Sequence, residues 1–219
     1  KDLIQSLPSP ISKDLTNELM KQVDLVIVTG SQNNVKQAYS SGTPSIGVGQ
    51  GNVTVIVDET SNIKIAAQRI KQSKIFDNAT SCSSENNLII LDEIYDDMLS
   101  ALKSEGGLLF NDERKNILEK SLWQNGKLNR KLLAKSVDFI LNEISIDGLD
   151  SKNSKFIMIE EKGIGKNALF SGEKLSPILT IYKAKNFVEA KNIANEILNY
   201  QGKGHSIGIH SEDEKRILD

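Results

Sequence analysis

Short apolar runs alternate along this chain with segments whose apolar residues recur every three or four positions. Ser12 is placed to cap a helix over residues 13–21, with Leu15, Leu19 and Met20 on one face, and residues 24–30 (DLVIVTG) then read as a buried strand. A second helix over residues 33–41 stops at Gly42, with Pro44 just beyond. Residues 45–49 and 53–58 have strand patterns separated by a glycine-rich stretch. Apolar positions 63, 66, 67 and 70 then predict a helix over 63–74. Strand 88–91, helices 93–104, 112–122 and 130–144, strands 156–159 and 178–184, helix 188–200 and strand 206–210 follow. Such alternation predicts an α/β chain with a parallel sheet. The boundary falls near Gly49, giving a first domain over 1–48 and a second over 49–219.

Composition narrows the function. With 27 basic and 29 acidic residues, and no basic cluster interleaved with aromatics, the chain has little electrostatic reason to bind nucleic acid. No apolar run approaches the roughly 20 residues of a membrane span, and no secretory signal pattern opens the sequence. A single cysteine cannot form an internal disulfide, which fits a reducing cytoplasm. No metal-ligand set is expected.

That cysteine, Cys82, follows the helix over 63–74 and precedes the apolar run Leu88-Ile89-Ile90-Leu91. A buried cysteine that only packs sits among apolar neighbours. Here the neighbours are Thr80, Ser81, Ser83, Ser84 and Glu85, so a nucleophile is the better reading. Two histidines, His205 and His210, complete the inventory of groups suited to proton transfer near neutral pH. A cysteine with a histidine also suits a thiol hydrolase, but the local cysteine-protease signature is missing. Thr29-Gly30-Ser31 lies where a strand ends and a helix begins, a place where backbone N–H groups can face an anion, although an ordinary tight turn looks the same. Glu173, beside Lys174, reads from composition as a solvated ion pair.

The run FDNATSC (76–82) followed by SSEN resembles the nucleophile segment of the CoA-acylating branch of the aldehyde dehydrogenase superfamily. Residues 29–31, 35–44 and 47–52 are similar to that family's passage from cofactor helix to catalytic domain. Residues 172–177 and 204–206 resemble two further family blocks, in the same order. The resemblance implies a three-layer α/β/α catalytic domain with a remnant of a Rossmann-type cofactor domain. It also implies that the family's chain continues on both sides of this one, with earlier cofactor-domain strands before Lys1 and a catalytic and oligomerisation segment after Asp219.

The same resemblance implies roles. Cys82 would be the covalent nucleophile, and Glu173 would hold the nicotinamide ribose. Thr29, Gly30 and Ser31 would belong to the NAD or NADP site; His205 is a candidate to shuttle the proton of the CoA thiol or orient the thioester, with a plain structural histidine the alternative. The oxyanion would rest on donors such as the Cys82 N–H, with Asn78 a further candidate. Hydrolytic relatives carry a water-activating glutamate where this chain has Gly47-Val48-Gly49-Gln50, so a thiol acceptor, coenzyme A, is expected instead of water. Thr80, Ser81 and Ser83 would line the aldehyde pocket, and such hydroxyls suit a polar or anionic aldehyde. TSCSSEN, TGSQNNV and SGEKLS look closest to acylating sulfoacetaldehyde dehydrogenases. A homo-oligomer is expected of the full-length protein. A hydrolytic aldehyde dehydrogenase, or an inactive structural module, are the competing readings.

Overall fold

The computed structural model describes residues 3–146 and 153–219, and the chain divides into two compact units at Gln50/Gly51. The first unit holds α1 (Lys13–Gln22), β1 (Val26–Thr29), α2 (Gln32–Tyr39) and β2 (Ser45–Val48). β1 and β2 pair in parallel, Val26 opposite Ser45 through Thr29 opposite Val48. Ser12 and Ser31 cap the two helices by accepting from the Leu15 and Asn34 N–H groups. No residue of α1 is buried, and Ile27 and Ile46 of the small sheet are exposed.

The second unit is built on β3 (Thr54–Val57), α3 (Ile63–Ile75), β4 (Asn87–Leu91), α4 (Tyr95–Ser104), β5 (Gly107–Leu109) and α5 (Asp112–Leu122). A short hairpin, β6 (Trp123–Gln124) with β7 (Lys127–Leu128), leads to α6 (Val137–Glu143). Then come β8 (Phe156–Glu160), β9 (Ile178–Ala184), α7 (Phe187–Tyr200), β10 (Ile207–His210) and α8 (Glu214–Leu218). Among the described residues, six of these strands form one sheet in the order β10-β3-β4-β9-β8-β5, parallel throughout.

Because strand side chains alternate between faces, a sheet covered on both sides needs apolar residues at every position. β4 shows this directly. Leu88 and Ile90 pack with Ala66, Ala67 and Ile70 of α3 and Met98, Leu99 and Leu102 of α4. Ile89, on the opposite face, packs with Ala190, Ala194 and Ile197 of α7. Ile157, Ile159 and Ile178 join that second face to Leu118 and Leu122 of α5 and Ile140 and Leu141 of α6. The result is three layers, helix, sheet and helix. Each fully buried Leu or Ile contributes about 1.5–3 kcal/mol of transfer free energy. Asn62, Asn111, Ser136 and Asn186 cap α3, α5, α6 and α7 by accepting from the N–H three residues on, each cap stabilising its helix by about 1 kcal/mol.

One predicted helix is corrected. Residues 130–144 have helical periodicity, but α6 begins only at Val137. Asn129 Oδ1 accepts from the Lys131 N–H in a local turn, and Ala134 takes a left-handed backbone (φ 57°) with its N–H donated to the Leu175 carbonyl. Side-chain bonds of this kind offer the backbone an alternative to helix, and Ser136 then caps what remains. β5 and the β6–β7 hairpin are too short to leave a period in the sequence. No helix among the described residues is long and apolar enough to cross a membrane.

Parallel pairing has a consequence for function. The segments entering β3, β4, β9 and β10 all arrive at the amino end of the sheet, so Gly51-Asn52, Cys82 to Asn86, Glu173-Lys174 and His205 gather there.

Candidate active site

Cys82 is exposed, at the crest of a loop between the end of α3 and β4. The loop begins with an uncommon backbone: Asp77 (φ 48°, ψ 38°), Asn78 (φ 50°, ψ 36°) and Ala79 (φ 58°) are consecutive left-handed residues, none of them glycine. Each costs about 1–2 kcal/mol relative to the right-handed form, less for Asp and Asn. Strain of this order persists only where the surroundings over-determine it. Here the Thr80 N–H and hydroxyl both bond the Asp77 carbonyl, Ala79 is buried, and Asn78 Nδ2 donates to the Ala134 carbonyl at 3.2 Å. Beyond the turn, Ser81 Oγ and Ser83 Oγ lie 2.9 Å apart and the Ser84 N–H returns to the Ser81 carbonyl.

Gly51 marks where the loops converge. A Cβ built on it would lie 2.8 Å from the Cys82 carbonyl oxygen, 3.2 Å from Glu173 Oε1 and 3.4 Å from His205 Nε2. The thiol-bearing residue, the carboxylate and the imidazole therefore border one point that only a glycine leaves open. Glu173 is 8% exposed, and its N–H donates to Gln201 Oε1 at 2.7 Å. His205 Nδ1 is buried without a hydrogen-bond partner, while its backbone N–H closes a turn to the Gly202 carbonyl.

Beneath these groups lies a buried polar floor. Asn52 Nδ2 donates to the Ser171 carbonyl at 2.8 Å, and Asn87 Nδ2 reaches Asn52 Oδ1 at 2.9 Å. Asn86 Oδ1 accepts the Lys174 N–H at 3.0 Å, and Thr180 Oγ1 donates to the Phe170 carbonyl. Lys174, fully buried, gives its ammonium to the carbonyls of Phe170 and Gly172, both at 2.7 Å. Lys74, 1% exposed, donates to the Glu85 carbonyl at 2.7 Å. Burial pushes both lysines down, Lys74 to about 7 against the pull of the Glu85 and Glu173 carboxylates. Lys174 lies well below its ordinary value through burial and the neighbouring Lys74 charge, again opposed by Glu173. A solvated Glu173–Lys174 pair is thus replaced by a carboxylate whose field favours the charged form of two buried lysines that burial drives toward the neutral form.

In the first unit, Thr29 ends β1, Gly30 has φ 137°, and Ser31 caps α2; all three are exposed. A cleft of about 450 Å³ beside them is lined by Ser31, Asn34, Lys13 and Lys36, among others. The strand-glycine-helix geometry read from the sequence is therefore present.

Several residues of the floor have no signature in the sequence. Lys74 sits at the end of an amphipathic helix pattern where lysine is commonplace, and Asn52, Asn86, Asn87 and Gln201 look like ordinary loop amides. What could have pointed to them is position: each lies within a residue or two of a predicted strand start or helix end.

No protein-family model matches the chain. It is 43% identical over 217 residues to an acylating sulfoacetaldehyde dehydrogenase of Cupriavidus necator, covering 99% of this chain and 44% of that protein. It is 37% identical over 220 residues to an acetylating succinate-semialdehyde dehydrogenase of Clostridium kluyveri, covering 99% and 48%. Among solved structures, an acetylating aldehyde dehydrogenase from Geobacillus thermoglucosidasius matches with a TM-score of 0.90 at 41% identity, over 94% of this chain and 46% of that one. A Rhodopseudomonas palustris propionaldehyde dehydrogenase with bound propionyl-CoA matches with a TM-score of 0.83 at 29% identity, over 94% and 45%. The chain spans a little under half the length of these relatives. Over that span its sequence and fold are similar to those of acylating aldehyde dehydrogenases, as the FDNATSC run implied.

Proposed function

We propose that this chain carries the thiol-bearing part of a CoA-acylating, NAD(P)-dependent aldehyde dehydrogenase, interconverting a short aldehyde and its acyl-CoA thioester. The observation that supports it most is the meeting of Cys82, Glu173 and His205 at Gly51. An exposed thiolate at Cys82 attacks the aldehyde carbon, forming a carbon–sulfur bond and a thiohemiacetal oxyanion for the Cys82 N–H to hold. Asn78 already gives its amide to Ala134, so it reaches such an oxyanion only by leaving that bond. When bound, a nicotinamide would supply the hydride acceptor needed to bring the adduct on Cys82 to the thioester level. The thiol of CoA then displaces Cys82, and His205, bordering the same point, is placed to take the thiol's proton.

The residues present fit such a cofactor. In the second unit, Glu173 brings Oε1 to the Gly51 opening, an acceptor suited to a ribose hydroxyl; in the first unit, taken by itself, Thr29-Gly30-Ser31 forms a strand-glycine-helix turn of the kind that faces an anion. Residues 1–48 read as part of a dinucleotide-binding domain and 49–219 as part of a catalytic domain. Ser81 and Ser83 flank the thiol-bearing residue and share one hydrogen bond, leaving a hydroxyl hydrogen that favours an anionic aldehyde, whereas the Thr80 hydroxyl is committed to the Asp77 carbonyl; the C. necator relative points to sulfoacetaldehyde. We further infer a cytoplasmic homo-oligomer acting on small molecules. The deciding assay follows nicotinamide reduction by the full-length protein with sulfoacetaldehyde, succinate semialdehyde and acetaldehyde, each with and without CoA. Product forming equally well without CoA would establish the hydrolytic reading instead.

Glu173→Gln is expected to weaken nicotinamide binding by about tenfold, since an ionised acceptor contributes about 1.5–3 kcal/mol where a neutral one contributes less. Calorimetry on the full-length enzyme checks this. Unchanged affinity would leave Glu173 serving only as counter-charge to Lys74 and Lys174.

A further inference from the structure

The thiol-bearing loop is tied at its base in an unusual way. Residues 76–83 leave the end of α3 and return at Ser84-Glu85, and two contacts join the outgoing and returning strands of the loop. Ser84 Oγ lies 3.5 Å from the Ser73 carbonyl, at the limit of a hydrogen bond. The other is the 2.7 Å bond from Lys74 Nζ to the Glu85 carbonyl, so Lys74 carries most of the tie. This ammonium is buried, a placement that costs several kcal/mol unless specific partners compensate. The charged groups facing it are the Glu85 and Glu173 carboxylates, and the other titratable group of the cluster, Lys174, is itself pushed toward its neutral form by burial and by the Lys74 charge. On the same helix, Lys71 pairs instead with Glu105. Glu85 Oε2 is buried without a hydrogen-bond partner, which places the negative end of the cluster next to the tie.

We propose that Lys74 is a positioning residue for Cys82: its buried ammonium, held between the Glu85 carbonyl and the field of Glu173, fastens the base of the loop that presents the thiol. A charged donor makes a hydrogen bond roughly twice as strong as a neutral one. The tie is therefore strongest while Lys74 keeps its proton and slackens as the pH rises through about 7. The inference concerns thiol presentation and does not require the aldehyde dehydrogenase reading.

The test is the rate of Cys82 alkylation by iodoacetamide, measured from pH 5.5 to 9 in the 219-residue chain, which has no other cysteine. Lys74→Met keeps the length of the side chain and removes its charge. Parent and variant rates should differ by about fivefold at pH 6, where Lys74 makes a charged hydrogen bond to the Glu85 carbonyl that methionine cannot make, and the difference should shrink above pH 8, where the parent keeps only the weaker bond of a neutral amine. Equal rates at pH 6, or a ratio constant across the range, would overturn the proposal, the second because a merely structural lysine gives a pH-independent change. Should Lys74→Met fail to fold, Glu173→Gln decides. It leaves the bond to Glu85 in place but removes the anion that favours the charged lysine, so the inflection near 7 in the alkylation profile must move to lower pH. An unmoved inflection sinks the idea. Neither readout involves CoA, cofactor or aldehyde, so its failure is distinguishable from failure of the proposed function.

Discussion

Replacing Cys82 with alanine is expected to abolish acyl uptake by this protein while leaving its fold in place. Run in reverse, the proposed reaction passes an acyl group from acyl-CoA to the thiol, a half-reaction that needs neither aldehyde nor nicotinamide. Intact-mass analysis after incubation with an acyl-CoA should show one added acyl group on the parent chain and none on Cys82→Ala. Under the proposed function, aldehyde oxidation by the full-length protein should fall by about 10⁴-fold or more, the scale set by removing a covalent nucleophile. The fold should survive because Cys82 is exposed and its side chain contributes little to the core. Acylation of the alanine variant at the parent's rate would move the nucleophile elsewhere, and the hydroxyls of Ser81 and Ser83 are the next groups to examine.

How far the sequence reveals this site depends on the range of the interaction concerned. Elements with a strong period or a local cap are visible: α1 starts after Ser12, α5 spans Asp112–Leu122, and β9 spans Ile178–Ala184, all as the pattern predicts. Residues 130–136 show where a pattern misleads. Leu132 is apolar and buried, as a helix would require, yet the chain reaches that burial through a turn held by Asn129 and by a bond from Ala134 to the distant Leu175. Composition places Cys82 correctly as an exposed loop thiol, because its neighbours are hydroxyls and acids. For Glu173 it misleads, since an acid next to a lysine looks solvated. Its burial, and that of Lys174, follows from the approach to β9 crossing the amino end of a parallel sheet, a long-range fact. Lys74 is invisible for the same reason. Its partner, the Glu85 carbonyl, is backbone, and backbone acceptors have no letter in the sequence.

Glu173 illustrates how one residue can serve the floor and the opening together. Its N–H is fixed by Gln201, and the next residue is anchored through both its N–H and its ammonium. The backbone that carries the carboxylate is thereby fixed, and Oε1 lies 3.2 Å from the place a Cβ would take on Gly51. A site built this way is preorganised, and small displacements of any one wall are costly.

Gly51→Ala should show that cost most directly. The backbone at Gly51 is not in the left-handed region, so alanine is conformationally acceptable and the effect is purely one of space. The new methyl would sit 2.8 Å from the Cys82 carbonyl oxygen, closer than such contacts occur, and that oxygen belongs to backbone that cannot swing aside. The loop must therefore move, or the buried segment from Gly51 to Thr54 must. Displacing reacting groups by about 1 Å costs about 10²-fold in rate, and overpacking of this kind costs about 1–3 kcal/mol of stability. Acyl transfer to Cys82 is expected to slow by about 10²-fold in a chain that still unfolds cooperatively. Gly208→Ala is the control, because its methyl would meet a side-chain atom, Val55 Cγ2, at 3.1 Å, a longer contact than the 2.8 Å to backbone at Gly51. It should slow acyl transfer by less than about threefold. If the two variants lose rate equally, the convergence at Gly51 is no more than tight packing.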